Sequence, residues 1–149
     1  MHGHRIDAGE LDRLGEVLTT DAVYVTDLGA PALEGLDAIR AVALALGNGN
    51  PVGHLITNIV RTEAADGNMH ARSKGIGVNA DGTTGTVTYE DIIVWTGQGW
   101  RISHRKVIAH RTPLGGKASA PTALTNPQTP EPDATAGRCR LRCGVGAGH

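Results

Sequence analysis

The chain has 149 residues, with 14 Lys+Arg against 15 Asp+Glu and a formal net charge of −1. That length allows one domain with its own core, and that balance excludes the basic footprint of a nucleic-acid-binding protein. No apolar run reaches membrane-spanning length, and the opening MHGHRIDAGE holds no apolar stretch for a signal peptide, so a cytoplasmic protein is expected.

Residues 7 to 18, DAGELDRLGEVL, come first, with Leu11, Leu14 and Leu18 at helical spacing. Asp7 followed by Glu10 fits an Asp-led capping box at the start of that helix. A strand is predicted over DAVYVTDL at 21 to 28, where Val23 and Val25 alternate with Tyr24. A second helix follows, its face made by Leu36, Ile39, Ala43 and Leu46, and GNGN stops it. Strands are predicted at 52 to 60, 69 to 79, 86 to 96 and 100 to 111. The turns between the last three pairs are ADGN, ADGTTG and GQG.

Phe is absent and there are two Trp and two Tyr, so the core must be built mainly from Leu, Ile, Val and Ala. The ordered domain is predicted to span residues 1–112. Residues 113–149 hold five of the seven prolines and no apolar period, which predicts a disordered tail. Its Cys139 and Cys143 are expected to be free thiols, since two thiols alone do not make a metal site. Arg138, Arg140 and Arg142 add three charges to the tail.

Helix, strand, helix and four consecutive strands make an α+β pattern with a curved, mostly antiparallel sheet covered by helices. Such a sheet would close a cone-shaped barrel around a hollow. Gly75, Gly77 and Gly85 fit strong curvature, because glycine tolerates bulges and bends. The histidines lack HExxH spacing, so neither a metal nor another cofactor is expected.

Several stretches in order carry a family resemblance. They are RIDAGELDRL, LTTDAVYV, EGLDAIRA, HLITN, DGNMHARS and YEDIIVWTGQGWRISHR, over residues 1 to 111. Together they resemble the SnoaL-like group of the nuclear-transport-factor-2-like superfamily. The resemblance implies a cone-shaped α+β barrel, often dimeric. That superfamily includes scytalone-dehydratase-like and bile-acid-dehydratase-like lyases, ketosteroid isomerases, polyketide cyclases and small subunits of ring-hydroxylating dioxygenases. It also includes binding proteins without chemistry. Its members usually carry a full helix with an aromatic residue before the Asp7 region. Here His2 stands where the aromatic residue is expected: either the sequence starts late, or most of the first helix is missing and one wall of the cone is open.

In the dehydratases of this group, a His at the place of His54 acts as general base, and imidazole suits that role near neutrality. Asp7 is its natural partner, by accepting the other ring proton; its alternative is the helix cap. Arg105 stands where lyase members use an Arg, and its guanidinium could hold an enolate or carboxylate. The alternative for Arg105 is a cross-strand salt bridge to Asp91 or Glu90. Asn58, Tyr24 and Asp91 complete the set as candidate substrate contacts. On strict alternation Tyr24 points away from the core if Val23 and Val25 fill it. His70, Arg72 and Lys74 should face outward, with Ala71, Ser73 and Gly75 inward and making room for a ligand.

These readings lead to a cofactor-free lyase (dehydratase) or isomerase acting on a small cyclic, polyketide-like or steroid-like ligand. The alternative is a non-catalytic ligand-binding or oligomerising domain, or a small oxygenase subunit. A homodimer through the outer sheet face is expected, with neither nucleic acid nor membrane as partner.

Overall fold

The computed structural model describes residues 2–116. The readings on Cys139, Cys143 and the tail arginines lie outside the described residues. The elements in chain order are α1 (His2–Asp7), a 3₁₀ segment (Leu11–Glu16), β1 (Leu18–Thr26), β2 (Leu33–Glu34), α2 (Leu36–Leu46), β3 (Gly53–Glu63), β4 (Met69–Val78), β5 (Thr84–Thr96) and β6 (Gly99–His110). None of the described helices is long and apolar enough to cross a membrane.

The six strands form one mixed sheet in the order β2-β1-β6-β5-β4-β3. The pair β1–β6 is parallel, and the pairs β3–β4, β4–β5 and β5–β6 are antiparallel. This corrects the predicted cone-shaped barrel. β2 and β3 are the two edges and do not pair with each other, so the sheet stays open. The expected strong curvature fails for a related reason. The β4–β5 ladder runs from Met69↔Ile93 to Val78↔Thr84 without a register shift, so Gly75, Gly77 and Gly85 introduce no bulge. Bulges lie elsewhere, between Thr57 and Val60 and between Ile92 and Ile93.

Local chemistry explains the elements. Gly35 at φ 83 admits α2, whose Leu36 and Ile39 are buried. Gly47 at φ 48 ends it, and the Asn50 side-chain amide donates to the carbonyls of Ala43 (2.7 Å) and Gly47 (2.9 Å). The Asn50 backbone N–H also donates to the Gly47 carbonyl, at 3.1 Å, so one residue closes the helix end. In the β3–β4 turn the Asp66 carboxylate accepts from the Asn68 backbone N–H at 3.0 Å. In the β4–β5 turn Asp81 does the same for Thr83 at 2.9 Å, the Asx geometry that fixes tight turns.

The core sits at one end of the sheet. Leu14, Leu18, Ala22, Leu36, Ile39 and Ile102 pack together, joining the 3₁₀ segment, α2, β1 and β6. Most of β3 is uncovered, and Leu55, Ile59 and Val60 are exposed. Val23 and Val25 are not part of this core; inward-facing Ala22 and Tyr24 take that side. β4 alternates as expected, with Ala71 and Ser73 buried and His70, Arg72 and Lys74 exposed.

The predicted helix over 7 to 18 is divided. α1 ends at Asp7, Gly9 turns at φ 70, and the 3₁₀ segment starts at Leu11. The capping box does not form, because Asp7 lies at a helix end rather than a start. Glu10 flanks the 3₁₀ segment without a side-chain cap bond and instead takes Arg5 and Arg13.

Candidate functional site

α1 rests on the start of β3, and one glycine makes that contact possible. A Cβ on Gly3 would stand 2.9 Å from the Cβ of His54. The close approach delivers Asp7 to His54, 47 positions along the chain. Asp7 Oδ2 accepts the backbone N–H of His54 at 2.8 Å. Asp7 Oδ1 lies 2.5 Å from His54 Nδ1. A carboxylate only accepts, so Nδ1 carries a ring proton, and in the neutral imidazole Nε2 is the nitrogen with the lone pair. The same contact takes up a donor on an edge strand that another chain could otherwise pair with.

The second cluster is built around Arg105. Register places Tyr24 beside it on β1 and Asp91 beside it on β5. Arg105 donates from Nε to Asp91 Oδ1 and from Nη2 to Asp91 Oδ2, both at 2.7 Å. The two side chains are only 6% and 7% exposed. The guanidinium lies 4.3 Å from the Tyr89 ring centroid, and its Nη1 donates to the Tyr24 hydroxyl at 3.4 Å. Burial works against the Arg105 charge, but the Asp91 hydrogen bonds outweigh it and hold the group above its usual range. Burial pushes the Tyr24 phenol up to about 12, against the pull of Arg105, and pushes Tyr89 up as well. Both tyrosines are therefore neutral donors at ordinary pH.

Gly75 shapes the floor between the two clusters. A Cβ there would collide with Tyr89 Cε2. The Tyr89 ring thus leans over β4 towards β3, where His54 sits.

Two hollows meet at these residues. An inner cavity of about 180 Å³ has apolar walls from Leu33, Ile39, Val42 and Leu46, with Tyr24, His54 and Tyr89 on its polar side. An adjoining groove of about 340 Å³ is also lined by His54 and Tyr89, and runs over Gly77 and Gly85 to Arg111.

The geometry brings His54 and Tyr24 to one cavity and leaves Asp7, bound to His54, lining a different hollow. It sets Arg105 behind them, bound to Asp91, so neither of those two offers a free charge to a ligand. Asn58 lies outside this cavity, exposed at φ 51 in the β3 irregularity, its side-chain oxygen accepting from Thr57 Oγ1 at 3.3 Å. Tyr89 and Arg111 are candidates that sequence reasoning did not assign. The run of small inward residues on β4 was the available signal for Tyr89, since an aromatic ring on the next strand needs that space.

An α+β domain with helices on one face of an open mixed sheet, and polar groups converging in the hollow between them, belongs to the nuclear-transport-factor-2-like class. Residues 1–106 match the family model described as a SnoaL-like domain, and the chain belongs to that family. Among solved structures it is similar to Aln2 from a Streptomyces species, at 22% identity and a TM-score of 0.60, over 72% of this chain and 82% of that one. It is also similar to an NTF2-like protein with a cystatin-like fold from Novosphingobium aromaticivorans. There the identity is 24% and the TM-score 0.61, over 78% of this chain and 77% of that one. A third, from the same organism, is described as the beta subunit of an aromatic-ring-hydroxylating dioxygenase, itself an unproven assignment. It has 20% identity and a TM-score of 0.56, over 74% of this chain and 83% of that one. At these identities the likeness carries the fold alone. No functionally curated protein matches the chain.

Proposed function

We propose that the inner cavity binds a small, largely apolar ligand carrying a carbonyl group, and that His54 abstracts a proton from the carbon beside that carbonyl. The observation that carries the chemical step is the Asp7–His54 contact at 2.5 Å, which leaves Nε2 as the basic nitrogen. In this reading Nε2 takes the proton, and the C–H electron pair moves to the carbonyl oxygen as an enolate. The Tyr24 and Tyr89 phenols donate to that oxygen, an arrangement that favours developing negative charge. The imidazolium then returns its proton. Returned to a departing β-hydroxyl, it releases water; returned to another carbon, it completes an isomerisation.

The test is solvent deuterium incorporation into a cyclic ketone, followed by NMR. The wild type is expected to exchange the proton beside the carbonyl, and His54→Ala to lose the exchange while keeping its fold. Equal exchange by both would remove His54 from the chemistry.

A second reading keeps the ligand and drops the reaction. It makes the domain a binding or oligomerising module, or a small subunit of an oxygenase. The comparisons favour it more than the first, because the family contains both kinds of member and the alignable structures share only the fold. Binding of the ketone without exchange in the wild type is its expected result.

We also propose that the chain is a homodimer through the outer sheet face. Val60, Ile92, His70 and His104 line an open groove of about 560 Å³ there, and exposed apolar side chains in contiguous patches mark association surfaces. Sedimentation equilibrium should return twice the 15.5 kDa chain mass. Val60→Glu should shift it to the single value.

A further inference from the structure

The groove that leaves His54 on the side away from α2 has a composition that points to the ligand it would take. Its floor is glycine. A Cβ on Gly85 would meet nothing within 4 Å, and one on Gly77 would meet only Pro51, at 3.2 Å. Register sets His54 opposite Gly77, and Gly77 opposite Gly85. Arg111 follows His110, the partner of Thr86 on β6, so it closes the row on the far side of Gly85. Three strand spacings separate the His54 and Arg111 backbones, about 14 Å, and a long arginine side chain covers much of that.

The charges along this row are one-sided. Among the described residues no Asp or Glu lines the groove, and Arg111 is exposed, with neither a hydrogen bond nor an ion pair to another of them. Arg105, by contrast, is held bidentately by Asp91. Among the described residues, Arg111 is therefore the guanidinium that remains available to a ligand in this site. Its base is fixed, because the preceding His110 Nε2 lies 2.7 Å from Thr88 Oγ1 and 2.9 Å from Lys74 Nζ. The inner cavity, on the other side of His54 and Tyr89, is walled by aliphatic side chains, and among the described residues no Lys, Arg, Asp or Glu lines it.

We infer that the ligand has two parts: a compact apolar body with the reacting carbonyl, held in the inner cavity, and a chain ending in an anion, laid over Gly77 and Gly85 and bound by Arg111. The anion is a carboxylate or a phosphate, since a guanidinium fork fits both. The division of the ligand at His54 and Tyr89 rests on the reading of His54 as the reacting base. The anion preference does not need that reading.

The experiment is isothermal titration of the full chain with matched aryl ketones. They carry the same alkyl chain, ending in a carboxylate, a phosphate monoester or a methyl ester. The parent ketone without a chain is the fourth probe. Wild type should bind one or both anionic forms at least about ten-fold more tightly than the ester, a difference of about 1.4 kcal/mol. The better of the two acids identifies the anion. Arg111→Gln should remove the preference. Gly85→Leu should weaken every chain-bearing probe and leave the parent ketone unchanged. Equal binding of ester and acids, no binding of the acids, or an unchanged preference in Arg111→Gln would overturn the inference. His54→Ala should keep the acid preference. Acid preference without deuterium exchange in the wild type leaves this inference standing and removes the proton-transfer reading. Exchange without acid preference does the opposite.

Discussion

Asp91→Ala is expected to lower the unfolding free energy by about 3–5 kcal/mol, as measured by urea or guanidinium titration. The reason is the company Arg105 keeps. Its side chain is 6% exposed, and both carboxylate oxygens of Asp91 face it at 2.7 Å. Removing the carboxylate leaves a guanidinium that is buried and unpaired. Neither water nor the two tyrosines replace two charge-assisted hydrogen bonds. Arg105→Ala should cost a comparable amount by leaving Asp91 alone, together with the packing lost under Tyr89. Replacing both residues by leucine should recover much of the loss, because a buried ion pair adds little over well-packed apolar side chains. A loss below about 1 kcal/mol for Asp91→Ala would show instead that the pair behaves like a solvated surface bridge.

The second large effect falls on Asp7. Asp7→Asn keeps size and shape but changes which nitrogen of His54 is basic. The carboxylate offers one oxygen to the His54 backbone N–H and the other to Nδ1. An amide has only one oxygen. If that oxygen stays with the backbone N–H, the amide NH₂ faces Nδ1. Nδ1 must then accept, the ring proton moves to Nε2, and the base is lost. Deuterium exchange should fall by about 10²–10⁴, the range that general-base catalysis contributes, with ketone binding little changed. Asp7→Glu, which keeps two accepting oxygens on a longer arm, should recover part of it. An exchange rate in Asp7→Asn equal to that of wild type would reduce the dyad to a structural contact that secures α1 against β3.

Much of the secondary structure was legible because its causes are local. Alternation along β4, the apolar face of α2 and the Asp66 and Asp81 turns depend on neighbours a few positions apart. The boundaries that moved were those set by distant contacts. The predicted helix at 7 to 18 broke at Gly9 because Asp7 answers to His54 instead of to Glu10. The assignment of Tyr24 turned on which face of β1 meets the core. Alternation identifies two faces and does not say which one the helices cover.

The candidate site divides along the same line. The amino-acid sequence by itself determined an α+β chain of SnoaL-like type, with His54 and Asp7 as the pair to examine and Arg105 left between a substrate contact and a salt bridge to Asp91 or Glu90. Periodicity, turn chemistry and family pattern are all written in the order of residues. Only the tertiary structure decided that the sheet is open, that Asp91 neutralises Arg105, and that Tyr89 leans over Gly75 towards the cavity. It also decided that Arg111 ends the glycine row leading from His54. Each of those outcomes depends on strand register and on which face the helices cover. Those are relations between segments far apart in the chain, and no local pattern encodes them.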